Sequence, residues 1–119
     1  MAEDDNKLSR RSTRVSISIP VIISGSDADG NKFRENVRTI IVNKHGGKVA
    51  TARRLAMGTE IVIENRVLGA AAKSKVAWLD PEPHEGGLYH VGLQLQVPRD
   101  IWGITFPPED WTSPPQEGV

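Results

Sequence analysis

The chain has no cysteine among its 119 residues. This absence excludes disulfide cross-links and thiolate metal sites, and it fits a reducing compartment. An excess of either charge is also lacking, because 15 basic residues balance 15 acidic ones. The chain as a whole therefore has no electrostatic attraction for nucleic acid or for membranes. Any recognition of an anion must depend on a local cluster of charges.

Long apolar runs are missing as well. No run approaches the roughly 20 residues that span a bilayer, and the polar residues 1–6 contain no apolar signal core. No long stretch has the apolar periodicity of a helix. The length is typical of one domain. These features predict a single soluble, cytoplasmic domain that does not insert into membranes.

Short stretches of alternating apolar and polar residues make up most of the chain, and turn-forming residues separate them. Pro20 interrupts the first stretch and predicts a bulge or a sheet edge there. The pattern predicts an all-β fold, a small six-stranded antiparallel barrel with a short C-terminal turn or helix at 99–103. The predicted strands are Arg14–Ser24, Lys32–Val42, Lys48–Ala52, Thr59–Asn65, Ala70–Leu79 and Leu88–Val97.

Alternation also predicts which side chains face the barrel interior. Trp102, Phe106 and Trp111 are predicted to close the open end of the barrel. Residues 1–9 and 112–119 are expected to be disordered, which leaves 10–111 as the folded domain. The residues expected to face inward include Val15, Ile17, Ile19 and Val21 in the first strand, Ala72, Ser74, Val76 and Trp78 in the fifth, and Tyr89, Val91, Leu93, Leu95 and Val97 in the last.

Three arginines, Arg10, Arg11 and Arg14, stand just before the first predicted strand. The planar guanidinium group donates paired hydrogen bonds to phosphate or to guanine, and its flat face stacks on a base. Arg10 and Arg14 are spaced to reach opposite sides of one nucleotide. The alternative is a solvated basic tail that is balanced by the acidic residues near the start of the chain.

A glycine-bearing reversal follows the second predicted strand, over residues 41–47. Such a turn exposes backbone N–H groups and lets a ligand approach closely. Asn43 offers both a donor and an acceptor, as the edge of a guanine requires. The alternative is an ordinary hairpin turn in which Asn43 and Gly46 serve the backbone geometry.

Together these two elements resemble the PilZ domain. The resemblance consists of Arg10-x-x-x-Arg14 with the additional Arg11, a strand through Ile19-Pro20-Val21, and a glycine-bearing turn about thirty residues further on. It covers roughly residues 10–97. It implies a six-stranded barrel and a bacterial signalling receptor or adaptor for cyclic di-GMP, which orders the arginine arm against the barrel. The ligand-binding residues it implies are Arg10, Arg11, Arg14, Asn43 and Gly46.

The turn departs from the family pattern of Asp or Asn, any residue, Ser, two residues and Gly. With Val42 facing inward, Ile41 takes the acidic or amide position, Asn43 the serine position and Gly46 the glycine position. The other register begins at Asn43 and puts Lys48 where glycine belongs. Losing one recognition hydrogen bond costs about 1–3 kcal/mol. We therefore expect weakened binding of cyclic di-GMP.

No enzymatic motif is present. No serine has the flanking glycines of a nucleophile elbow, and His45, His84 and His90 are not spaced as a metal-ligand set. We therefore expect no enzyme, no cofactor and no metal, and we expect an unidentified protein partner downstream. One alternative is a PilZ-like protein-interaction module that binds no nucleotide. Another is a barrel that binds single-stranded nucleic acid through the arginine arm, which the zero net charge disfavours.

Overall fold

The computed structural model describes residues 14–98 and 100–103. A short 3₁₀ turn, Glu85–Gly87, precedes the last strand. In these two stretches of the chain, no helix is both long and apolar enough to cross a membrane. The seven strands are β1 (Val15–Ser16), β2 (Pro20–Ser26), β3 (Lys32–Asn43), β4 (Gly46–Thr51), β5 (Glu60–Asn65), β6 (Ala70–Leu79) and β7 (Tyr89–Leu95).

Six of the strands close into a barrel. Their order is β3-β2-β5-β6-β7-β4, and β4 pairs in turn with β3. Every pairing is antiparallel. Closure gives each of these strands two neighbours, which removes the exposed edges at which sheets aggregate. The predicted all-β, six-stranded antiparallel barrel is confirmed.

The barrel interior is filled by the apolar side chains of the alternating strands. In β7, for example, Val91, Leu93 and Leu95 are buried while Gln94 between them is exposed. Burial of an aliphatic side chain of this size stabilises the fold by about 1.5–3 kcal/mol. The core consists of Val21, Ile23, Phe33, Val37, Val42, Val49, Leu55, Ile61, Ile63, Val76, Val91, Leu93, Leu95, Ile101 and Trp102.

The first predicted strand is split into β1 and β2 by a bulge. Ser16 pairs with Ile41 and Pro20 with Arg38, so three residues, 17–19, stand opposite two on β3. This confirms the interruption predicted from Pro20. The Ile17 side chain is 37% exposed, so its predicted inward position is wrong, because the extra residue breaks the alternation.

A buried hydroxyl holds this bulge. The Thr39 hydroxyl donates to the backbone oxygen of Ile17 at 2.6 Å and accepts from the backbone N–H of Ile19 at 2.9 Å. The side chain of Thr39 thus satisfies two backbone groups that regular pairing would have satisfied.

A second irregularity corrects the prediction for Trp78. Val76 pairs with Leu93, yet Trp78 pairs with Gly92, so Ala77 is an extra residue in β6. The shift turns Trp78 outward, where it is 42% exposed, and its predicted inward position is wrong. Val97 was also predicted to face inward. It lies beyond the end of β7 and is 67% exposed.

The segment 100–103 forms a bend rather than a helix. Trp102 is almost completely buried in the core, as predicted, and its indole Nε1–H donates to the backbone oxygen of Asn43 at 2.9 Å. The Asn65 amide donates to the backbone oxygen of Ile101 at 3.0 Å. The bend is therefore tied to the ends of β3 and β5. Outside the described residues lie Arg99, Phe106, Trp111 and the termini predicted to be disordered.

Candidate ligand-binding groove on the barrel exterior

An open groove of about 460 Å³ lies on the outside of the barrel where β3, β4, β6 and β7 come together. Its size is in the range of small-molecule sites. Arg14, the β3–β4 turn and the exposed indole of Trp78 all line it. We call this site the outer groove.

Three of the five residues implied by the resemblance line the outer groove: Arg14, Asn43 and Gly46. Arg14 directly precedes β1, and the pairing of Val15 with Val42 places it beside the β3–β4 turn. Among residues 14–98 and 100–103, the exposed guanidinium of Arg14 has no ion pair or hydrogen bond, so it is available to an anion. Arg10 and Arg11 lie outside the described residues.

The register chosen for the turn is consistent with the burial pattern. Val42 is fully buried, so Ile41 and Asn43 alternate with it and line the outer groove. Ile41 contributes apolar surface at the position where the family pattern has a carboxylate or an amide. A guanine edge facing Ile41 would find no hydrogen-bond partner in that side chain.

Asn43 has a local structural role. Its Oδ1 accepts from the backbone N–H of His45 at 2.8 Å, and its backbone oxygen accepts from Trp102. The side-chain oxygen is thus engaged in shaping the turn, as the hairpin alternative supposed. Within the described part of the chain, the side-chain Nδ2 donates no hydrogen bond and can donate to a ligand.

Position 46 requires a glycine because β4 and β7 approach each other closely there. A Cβ atom at this position would lie 1.9 Å from the backbone oxygen of Leu93 on β7. No side chain fits there without moving the β4 or β7 backbone. The glycine of the turn is therefore explained by the fold, whether or not a ligand binds.

A row across three strands completes the outer groove. Lys48 on β4 and Trp78 on β6 both pair with Gly92 of β7. Because Gly92 has no side chain, the Lys48 Nζ reaches to 4.7 Å from the centre of the Trp78 ring. The sequence pattern did not identify Trp78 as part of this site. Only the bulge at Ala77, which depends on pairing with β7, turns that indole outward.

A second polar cluster lies further along the same strands. The Asp80 Oδ2 shares a hydrogen bond with His84 Nε2 and lies 3.9 Å from His90 Nδ1. The two imidazole rings are stacked, with centroids 3.7 Å apart. Burial lowers the pKa of His90, the charges of His84 and Lys48 add to this effect, and the charge of Asp80 opposes it. Sequence spacing missed this cluster, because a loop closure brings His84 back to the strand.

Comparison with known proteins finds no relative of this chain. The chain matches no protein-family model, and no curated protein or solved structure is significantly similar to it. Function is therefore inferred from the chemistry of the outer groove.

Proposed function

We propose that the protein is a PilZ-like receptor for cyclic di-GMP that acts as a signalling adaptor and binds the nucleotide in the outer groove. One observation carries the proposal. The fold gathers Arg14, the turn containing Asn43 and Gly46, Lys48 and the exposed indole of Trp78 around one open site. These side chains come from separate parts of the chain, and their chemistry suits an anionic purine ligand.

The ligand has two phosphates and two guanine bases, and the outer groove offers side chains that suit each of these two kinds of group. Arg14 and Lys48 provide positive charge for the phosphates. The Trp78 ring provides a surface on which a base can stack once Lys48, whose Nζ lies over the ring, turns toward a phosphate. Asn43 Nδ2 can donate to the O6 or N7 atom of guanine.

Ile41 sets the expected strength of binding. Its apolar side chain lies in the groove at the position where a carboxylate or an amide would hydrogen-bond the base. The missing bond costs about 1–3 kcal/mol if its partner on the ligand is left unpaired. We therefore propose an affinity reduced by one or two powers of ten relative to a site with the full pattern.

We propose that Arg10 and Arg11 also contact the bound ligand. They precede Arg14 by four and three residues, so a ligand held by Arg14 lies within their reach. Bound ligand would order this arm against the barrel and create a new surface for a protein partner.

Isothermal titration of the purified full chain with cyclic di-GMP tests the proposal. We expect Arg14→Ala to weaken binding by about 10- to 150-fold, the worth of a charge-assisted pair of hydrogen bonds. Arg14→Lys should restore part of the affinity, because it keeps the charge but not the fork. Arg34→Ala is the matched control, since Arg34 pairs with Glu64 and does not line the outer groove.

Absence of heat at high ligand concentration, with circular dichroism showing an intact fold, would refute the proposal. Titrations with cyclic di-AMP and GTP measure specificity for the base and for the cyclic backbone. Salt-sensitive retardation of an oligonucleotide in a gel, in place of binding to the dinucleotide, would favour the single-stranded nucleic acid alternative.

A further inference from the structure

We propose that Asp80, His84 and His90 form a binding site for one divalent transition metal ion, with Zn²⁺ as the best-matched ion. The site lies outside the outer groove, and the proposal does not depend on cyclic di-GMP binding. Each of the three residues offers one ligand atom, and these atoms all lie within 4.8 Å of one another.

The donor set selects the kind of metal. Two imidazole nitrogens and one carboxylate oxygen are ligands that zinc prefers, whereas calcium and magnesium prefer oxygen alone. In a tetrahedral zinc site with bonds of about 2.0–2.1 Å, ligand atoms are about 3.4 Å apart. The His90 Nδ1 to Asp80 Oδ2 distance of 3.9 Å needs only a small adjustment to reach this value.

The backbone already holds the three residues in place. The N–H of Asp80, just after β6, donates to the backbone oxygen of His90 in β7 at 3.1 Å. The N–H of His84 donates to the backbone oxygen of Leu88 at 2.6 Å, and the His84 oxygen accepts from Gly87 at 3.0 Å. The loop between β6 and β7 is thus closed around the cluster. Little backbone ordering remains to be done when an ion binds.

One ring must turn to receive the ion. The two imidazole planes are 12° from parallel and stacked, whereas a metal lies in the plane of each ring that ligates it. The His84 side chain is 47% exposed in the loop and has room to rotate, while His90 is 26% exposed on a strand. Three protein ligands leave a fourth position on the exposed side for water or for another ligand.

The Asp80–His84–His90 cluster lies next to the outer groove. Asp80 follows Trp78 by two residues, and His90 precedes Gly92 by two residues. Both Trp78 and Gly92 line the outer groove. A bound ion would therefore place a dication next to one end of the outer groove, on the same face of the barrel.

Zinc binding by the metal-stripped full chain, without an affinity tag, tests the site. Isothermal titration with Zn²⁺ is expected to show one equivalent bound by the natural sequence. His84→Ala and Asp80→Asn should each weaken binding by at least about 10- to 100-fold, the loss seen even for residues that only support a metal ligand. His45→Ala is the control, because His45 is a histidine outside the cluster and should leave Zn²⁺ affinity unchanged.

Cobalt gives a readout that a surface ion pair would not produce. When Co²⁺ binds the natural sequence, visible absorption bands typical of a metal ion with few ligands should appear. His84→Ala should abolish these bands. No stoichiometric Zn²⁺ binding, or equal affinity in the natural sequence and His84→Ala, would overturn the site and leave an Asp80–His84 ion pair only. Far-UV circular dichroism of each variant checks that the barrel is folded, and His84→Ala is chosen because its side chain is exposed in a loop.

Discussion

The Nζ of Lys48 lies 4.7 Å from the centre of the Trp78 ring, across the bare backbone of Gly92. The electron-rich face of an indole attracts a cation, and this attraction orients the Lys48 amine. The contact is available because a Cβ at Gly92 would already lie 3.1 Å from the Cβ of Trp78. The pair gives the outer groove an aromatic surface and a positive charge next to each other.

Trp78→Ala should weaken binding of cyclic di-GMP by about 5- to 150-fold, because stacking on an aromatic ring contributes about 1–3 kcal/mol per base. The barrel should stay folded, since the indole is 42% exposed and stands outside the core. Titration calorimetry measures the affinity and urea unfolding measures the stability.

Trp102 is buried in the core, in contrast to the exposed Trp78. Trp102→Ala empties a buried position and should cost about 3–5 kcal/mol of unfolding free energy. If Trp78→Ala binds the nucleotide normally, the indole is not a stacking surface. If it destabilises the chain as much as Trp102→Ala, the outward orientation of Trp78 is incorrect.

Gly46→Ala should destabilise the barrel by about 3 kcal/mol or more. The new methyl group would overlap the backbone oxygen of Leu93, and neither strand can move without breaking the β4–β7 ladder. Equilibrium unfolding in urea measures the change. Gly30→Ala is the control, because Gly30 also has a positive φ but has open space around it. A loss no greater than that of Gly30→Ala would show that the strands do not approach so closely.

Thr39→Val should cost about 1–3 kcal/mol of unfolding free energy. Valine has the same shape but leaves the Ile17 oxygen and the Ile19 N–H without their partner in a part-buried bulge. Thr59→Val is the control, since within the described part of the chain its hydroxyl makes no hydrogen bond. Equal stability of the natural sequence and Thr39→Val in thermal and urea unfolding would contradict the proposed role of the hydroxyl.

Asp27→Asn should remove part of the acid sensitivity of the fold. The backbone N–H of Asn31 is the main cause that lowers the pKa of Asp27, burial opposes it, and the N–H of Asp29 and the charge of Arg53 add to the lowering. A carboxylate whose pKa is lowered by folding stabilises the protein above the pKa of the unfolded chain. That stability disappears as the pH falls below about 4 and through the lower pKa of the folded state.

The measurement is urea unfolding at pH 7 and at several values below about 4. The natural sequence should be more stable than Asp27→Asn at pH 7, and the difference should shrink as the pH falls. Asp29→Asn changes a carboxylate of the same turn that forms no ion pair or hydrogen bond with the described residues, and should leave the profile unchanged. A constant difference between the natural sequence and Asp27→Asn across the pH range would contradict the role of the Asp27 charge.

Local alternation was enough to predict most of the barrel. The repeat of apolar residues from Tyr89 to Leu95 predicted β7, and β6 has the bounds that its pattern indicated. Pro20 marked the interruption, because a residue without an N–H is tolerated at the start of a strand, and Pro20 is the first residue of β2 after the bulge. Val42 was placed inward, and its complete burial fixes which residues of the turn face outward.

Features that depend on pairing between distant segments could not be predicted. Trp78 faces outward only because β6 shifts its register against β7, and nothing local in the sequence marks that shift. His84 and His90 meet because the loop after β6 folds back on β7. For the same reason, Arg14, Asn43 and Gly46 could be named from a motif, whereas the aromatic side of the groove could not.

β1 pairs with the barrel through Val15 with Val42 and Ser16 with Ile41, and the Val15 side chain packs against the core, while the other six strands form the complete ring. Residues 14–16 can therefore separate from β3 without breaking any pairing that closes the ring. The free energy of docking the arginine-bearing segment is therefore separate from the free energy of the pairings that close the ring. Under the proposed function, a substitution at the exposed Ser16 of β1 is expected to change ligand affinity more than it changes the melting temperature.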